Sequence, residues 1–409
     1  MTLGVGGADA AQELARLADM TAGVEAISRD EFARRLTRAQ ALMQAQGIAA
    51  IYLNAGTSLY YFTGTPWYAS ERMVGAILPA RGALEYIAPA FELATLEGFM
   101  EISGRVNTWH EDESPYVLFA SVLQRLGIGS AMSNVRIGID EATAFFIFDG
   151  LRQACPGVSF VDAKPVISGC RMFKSAAELA LLQRAKDMTL AVHKAAARIL
   201  RVGITTAEVE AFIHQAHKAV GAPKGSSFCI VLFGEDSAYP HGVKSPKALE
   251  LNDMVLIDTG CRLQGYNSDI TRTYVFGEPN ERQRQLWQLE QAAQLAGFEA
   301  ARIGASCASV DAAARSVLEN AGFGPGYRVP GLPHRTGHGV GLDIHEWPYL
   351  VLNDDTPLAP GMCFSNEPML CVPGEFGVRH EDHFYLTEDG PVWFTRPAHS
   401  IDDPFGYQA

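Results

Sequence analysis

Apolar and polar positions along the chain follow two different regimes. From Ser28 onward Phe32, Leu36, Ala39 and Met43 recur at helical spacing. Ser28-Arg29-Asp30-Glu31 has the order of a capping box, in which a hydroxyl and a carboxylate satisfy opposite free N–H groups, and Gly47 stops the helix. The runs IAAIYL and VGAILPARGALEYIAP read as strands, the second as two strands around a glycine turn, and VRIGID is followed by a helical segment. This alternation predicts a small α/β domain that closes in VSFVDAKPVISG, with a boundary between residues 165 and 174. The Gly/Ala-rich start has no strand period and is expected to be a flexible arm.

Beyond the boundary the pattern changes. Ser175-Ala176-Ala177-Glu178 opens a long helix expected to end near Gly203, and Thr205-Thr206-Ala207-Glu208 opens another. FCIVLFG, MVLIDTG, RTYVF, MCFSNEPML and GVRHEDHFYL are strand-like, with helices expected near 281–301 and 309–321. The reading is therefore an α+β chain in three parts: an arm over 1–24, an α/β domain over 25–168, and a larger domain over 172–409 in which strands carry the polar chemistry.

Composition narrows the class. Lys plus Arg number 33 against 46 Asp plus Glu, a net charge of −13, which argues against a nucleic-acid partner. No apolar stretch is long enough for a membrane span, and no export signal is evident. The seven cysteines include no C-x-x-C pair, so reduced thiols and a cytoplasmic location are expected. The G-x-S-x-G, H-E-x-x-H and phosphate-loop signatures are absent, and GHGVG has the wrong spacing for a dinucleotide loop.

What remains is a concentration of His, Asp and Glu inside apolar runs, where an isolated charge would be costly. Asp258 closes MVLID, and Asp269 follows the Gly265 turn so that the two can face each other across a hairpin. By strand alternation Asp269 shares a face with Thr271 and Thr273, and Glu381 with Arg379, His383 and Tyr385. Glu367 stands in CFSNEPML and His338 between two glycines. Singly, each has an ordinary reading: Asp258 in a turn, Asp269 capping a turn or paired with Arg272, Glu367 ending a strand before Pro368, Glu381 paired with Arg379, His338 simply hydrogen-bonded. Together, four carboxylates and an imidazole from separate strands would, where they converge, make an oxygen-rich site for two divalent ions able to hold a bridging hydroxide.

In order, these pieces resemble the pita-bread metallopeptidase family, which includes methionine aminopeptidase, aminopeptidase P and Xaa-Pro dipeptidase (prolidase). The matching segments are AYPHG, LIDTGCRLQGYNSDITRTY, HRTGHGVGLDIHEWP, SNEP and GVRHEDHFYLTEDG; SLYYFTG and FKSAAELALLQRA are similar to the amino-terminal domain and linker helix of the creatinase and prolidase branch. The resemblance implies a pita-bread catalytic domain preceded by a creatinase-type amino-terminal domain. It implies metal ligation by Asp258, Asp269, His338, Glu367 and Glu381, with Glu367 also handling the proton of the attacking water. It places His241 and His345 at the scissile amide, and His334 and Arg379 at the substrate's carboxyl end.

The implied activity is hydrolysis of the Xaa-Pro bond of a dipeptide or short peptide by a homodimer, with Trp67 a candidate for covering the partner's cleft. Dipeptidase is favoured over aminopeptidase by the compact chain without a middle domain. A metal-dependent hydrolase or lyase of a small osmolyte is the alternative on the same fold, and a catalytically silent binding module a third. One histidine among four carboxylates favours Mn(II), with Co(II), Fe(II) or Zn(II) as replacements. The chain departs from the family at His383, where a small hydroxyl residue is common; His383 is expected to steady Glu381, and His380 to point away from the metals.

Overall fold

The computed structural model describes residues 2–128 and 135–408, which form two compact units, one of residues 26–171 and one of residues 2–25 with 172–408. In the first, six strands make one mixed sheet in the order Arg105–Trp109, Glu85–Pro89, Gly75–Pro79, Ala50–Asn54, Val135–Ile139, Val158–Asp162. Helix Arg29–Gln46 begins where the spacing requires, with the Ser28 hydroxyl accepting from Glu31 N–H, and ends at Gly47 in the left-handed conformation. Tyr52, Ile77, Ile87, Ile137, Phe119 and Ile147 form the core between sheet and helices. The segment read as a Pro/Gly exit is instead helix Lys164–Arg171, because Val166, Ile167 and Cys170 bury one face of it. Trp67 lies half-buried, edge-on to Phe99.

In the second unit, strands Ser226–Phe233, Met254–Leu263 and Ile270–Val275 form an antiparallel sheet with Met254–Leu263 in the middle. A five-stranded antiparallel sheet runs Glu346–Leu350, Gly337–Gly339, Cys363–Asn366, Asp382–Thr387, Gly390–Trp393, and Met369–Val372 pairs with Phe376–Arg379. Both expected capping boxes form, at Ser175/Glu178 and Thr205/Glu208, and a third stands at Asn280/Gln283. Leu256, Val275, Leu286, Trp287, Leu318, Leu370 and Val378 pack the sheets against helices Glu281–Ala300 and Cys307–Asn320. Each fully buried side chain of this kind contributes about 1.5–3 kcal/mol, which offsets the several kcal/mol that each buried ion costs.

The expected flexible arm is a correction. Residues 2–25 contain helix Ala10–Arg16 and belong to the larger unit. Helix Ala176–Arg198 stops five residues short of Gly203 and leaves terminal carbonyls unpaired within the helix. Gly6 N–H donates to Ala197 O and Ala8 N–H to Arg198 O, at 2.8 and 3.0 Å. The fully buried Glu13 accepts from Arg198 Nε at 2.6 Å. The arm is thus held by the helix end it caps. Among the described residues no helix is long and apolar enough to cross a membrane, and all seven cysteines are free thiols.

Candidate active site

Two strand pairs bring the carboxylates together. Gln264 and Gly265, both at positive φ, make the tight turn of a hairpin in which Leu263 pairs with Tyr266. Farther along, Asp258 lies opposite Thr271, so Asp269, two residues earlier, is its diagonal neighbour on the same face. Thr271 and Thr273 point the same way: Thr271 Oγ1 donates to Glu381 Oε2 at 2.9 Å, and Thr273 Oγ1 to Arg379 O at 2.6 Å.

His338 is fixed by close sheet packing. A Cβ at Gly337 would stand 2.1 Å from Ser365 O, and one at Gly339 2.5 Å from Glu346 O, so the strand fits only with glycine on either side. His338 N–H donates to Ser365 Oγ, and its Nδ1 lies 2.9 Å from Gly339 O. A carbonyl only accepts, so Nδ1 carries a proton, and Nε2 is the ring nitrogen turned toward the carboxylates. That Nε2 is 3.0 Å from Glu367 Oε1 and 3.8 Å from Asp269 Oδ2.

Two groups of donor atoms result, each lying within 4.8 Å: His338 with Glu367 and Glu381, and Asp269 with Glu381 and His383. Glu381 is common to both. Asp258 belongs to neither and receives Arg379 Nη2 at 2.5 Å. Asp258 Oδ1 and Asp269 Oδ1 are buried with no hydrogen-bond partner among the described residues. Bare carboxylate oxygens in an apolar interior are costly unless a cation takes them, so the donor set fits divalent ions.

The electrostatics agree. Burial, then the charge of Glu381 with those of Asp258 and Glu367, pushes Asp269 far above the usual carboxylate range; burial and the charges of Glu367 and Asp258 do the same to Glu381. Burial raises Asp258 also, against the pull of Arg379. Glu367 moves the other way: burial works to raise it, but its hydrogen bond to His338 and the charges of His338, His334 and Arg379 hold it well below.

The histidines expected on the substrate side flank this centre. His345 is exposed, with its ring centroid 4.2 Å from that of His338, and desolvation with the charge of His338 lowers it to about 4. His334 keeps Nδ1 2.7 Å from Arg335 O, and its buried Nε2 has no hydrogen-bond partner among the described residues. Burial holds it below the usual imidazole range, with His241 near enough to add to that effect. His241 itself is exposed in a turn after residues 234–238. Arg379 is committed inward, with Nε to Thr271 Oγ1 at 3.1 Å and Nη2 to Asp258.

Residues 180–388 match metallopeptidase family M24, and residues 35–173 match the creatinase/prolidase N-terminal domain. The chain belongs to family M24. This M24 peptidase is 38% identical over 373 residues to the probable dipeptidase PepE of Mycobacterium bovis, covering 90% of this chain and 96% of that one. It is 30% identical over 368 residues to the Xaa-Pro dipeptidase of Pyrococcus furiosus, covering 90% and 99%. The crystal structure of dipeptidase PepE from Mycobacterium ulcerans superposes with a TM-score of 0.84 at 35% identity, covering 92% and 99%. The fold is the M24 pita-bread catalytic domain, preceded in the chain by a creatinase-type N-terminal domain.

Several residues that build this M24 site were not singled out by the sequence. Arg272, read there as a possible partner of Asp269, instead donates to Asp382 Oδ1 at 2.7 Å and Glu381 O at 2.9 Å, fixing the backbone that carries Glu381. Arg315, with Asp311 as its ion-pair partner, donates to Leu332 O and His334 O at 2.8 Å and so shapes the His334 loop. Their i,i+4 spacing on a helix is visible in the sequence but looks like a surface pair. Lys186 is fully buried and reaches Asn267 O at 3.4 Å, and burial lowers it to about 8. His380 points away from the ligand carboxylates, its ring edge-on to Trp287 with Glu290 Oε2 at 3.3 Å.

Proposed function

We propose that this chain is a metal-dependent Xaa-Pro dipeptidase that holds two divalent ions with Asp258, Asp269, His338, Glu367 and Glu381. The observation that carries the reading is the pair of donor groups joined through Glu381, with bare buried oxygens on Asp258 and Asp269. Ions bound there would acidify water and polarise the scissile carbonyl. Mn(II) suits the oxygen-rich set, with Co(II), Fe(II) or Zn(II) as substitutes.

The chain's own groups supply the proton handling. Glu367, kept ionised by His338, accepts the proton of the attacking water. A prolyl imide nitrogen carries no hydrogen, so it must be protonated to leave, and that proton passes from Glu367. His345, held neutral, and His241 donate hydrogen bonds to the developing oxyanion and the leaving nitrogen. His334 contacts the carboxyl end of the substrate, and the guanidinium of Arg379 contributes its charge there while bonded to Asp258. The relatives named dipeptidase and Xaa-Pro dipeptidase, matched over nearly their full length, support the same substrate class.

The test is a comparison of Leu-Pro, Leu-Leu and Leu-Pro-Gly as substrates for the Mn(II)-loaded protein. The expected result is release of leucine from Leu-Pro alone. First-bond cleavage of Leu-Pro-Gly would make it an aminopeptidase, and cleavage of Leu-Leu at an equal rate would remove the proline specificity. Cleavage of none, with ions bound, would favour the small-osmolyte hydrolase or lyase.

A further inference from the structure

His383 is the one member of the donor groups that did not enter the ligand set above. It lies on strand Asp382–Thr387, directly opposite Ser365, whose hydroxyl receives His338 N–H. The two imidazoles therefore attach to the strands on either side of Cys363–Asn366 in one sheet, and their ring centroids are 6.3 Å apart. His383 is fully buried, with Nε2 3.2 Å from Glu381 Oε1.

That spacing matches the one on the other side, where His338 Nε2 is 3.0 Å from Glu367 Oε1. Neighbouring donors around a six-coordinate ion with bonds of about 2.1 Å are about 3 Å apart. Both nitrogen–oxygen pairs therefore stand at the separation of two ligands on one ion. The His383 pair also lies within 4.8 Å of Asp269, the carboxylate with a bare buried oxygen.

We infer that His383 is a sixth ligand, giving the ion held by Asp269 and Glu381 an imidazole nitrogen of its own. The inference rests on the dimetal reading above and deepens it. Each ion then has one histidine, His338 on one side and His383 on the other. Nitrogen donors discriminate among divalent metals more strongly than carboxylates, in the order that places Mn(II) lowest. The second imidazole moves this site's preference from Mn(II) toward Fe(II), Co(II) and Zn(II), relative to a site with a hydroxyl residue in its place.

The experiment uses full-length protein with 15N-labelled histidine, loaded with Co(II), its metal content measured and its hyperfine-shifted histidine N–H resonances counted by NMR. The same resonances are followed in H383Q and H383T, and Zn(II)-against-Mn(II) competition is measured for all three proteins. The result expected is two Co(II) per chain, two strongly shifted resonances from coordinated imidazoles in the wild type, loss of the same one in both variants, and a fall in the Zn(II)-over-Mn(II) preference. The wild-type count needs no variant to fold. A single coordinated imidazole with two Co(II) bound, or an unchanged metal preference in both variants, overturns the inference and leaves His383 as a partner that positions Glu381. Fewer than two Co(II) in the wild type overturns the dimetal reading itself.

Discussion

Arg379 Nη2 donates to Asp258 Oδ2 at 2.5 Å in a buried ion pair, while its backbone N–H and carbonyl both engage Thr273 Oγ1. This pairing ties the strand that carries Arg379 to the one that carries Asp258. Arg379→Ala should therefore disturb the metal centre as well as the substrate. Breaking a buried pair costs about 3–5 kcal/mol, and the lower end is expected because Asp258 can take up a proton. Thermal unfolding of the metal-stripped protein checks the stability, and a chelator titration checks the affinity, which should fall. A variant with weakened substrate binding but unchanged metal affinity and melting temperature would make Arg379 a substrate residue only.

Metal binding should grow stronger with pH. Asp269 and Glu381 have pKa values raised in the folded, metal-free protein, so the folded state holds protons that the unfolded chain releases. Their contribution to stability is full below about pH 4, the ordinary carboxylate range, and is lost as pH rises through the raised values. Glu367, lowered, contributes above that range and loses its contribution only toward strong acid. Ions displace the protons of Asp269 and Glu381, so the gap in melting temperature between loaded and stripped protein should widen from about pH 5 to pH 8. A gap independent of pH would mean that these carboxyls are not the ligands.

Asp269→Ala should abolish turnover and lower metal occupancy, since Asp269 reaches the His338 side at 3.8 Å and belongs to the group with Glu381 and His383. Metal analysis after dialysis against Mn(II) is the check. Full turnover with unchanged occupancy would contradict its place in the centre.

Arg315→Ala should act on the substrate side alone. Its guanidinium holds Leu332 O and His334 O, and Asp311 also accepts from Thr336. Losing it should raise KM for Leu-Pro and lower stability by about 3 kcal/mol, the range for one partner of a buried pair, while the number of ions bound stays the same. Loss of metal in this variant would show that the loop also supports His338.

Much of this was legible in the sequence, and for identifiable reasons. Asp258, Asp269, Glu367 and Glu381 stand out because they fall in strand-like segments, where a buried charge needs a counterpart, and His338 because it stands between two glycines. The caps at Ser28, Ser175 and Thr205 are local, so four residues suffice to see them. The docked amino-terminal segment was not legible because main-chain N–H groups of Thr2, Leu3, Gly6 and Ala8 hold it without a side-chain pattern, and its buried Glu13 pairs with Arg198, 185 residues away. The Arg379–Asp258 and Arg272–Asp382 pairs join positions over a hundred residues apart, and only the strand register selects them over Arg379–Glu381 or Arg272–Asp269. His383 was seen as a departure on the correct face, but its 3.2 Å approach to Glu381 depends on the packing of two strands.

The most direct measurement is Leu-Pro hydrolysis by metal-stripped protein as Mn(II) is added back, with bound ions per chain counted at each point. The expected curve is no activity without metal and a rise that reaches its plateau as two ions bind. Hydrolysis that persists in the stripped protein, or two bound ions with no hydrolysis, would contradict the assignment of this carboxylate and histidine cluster as the centre of a dimetal prolyl dipeptidase.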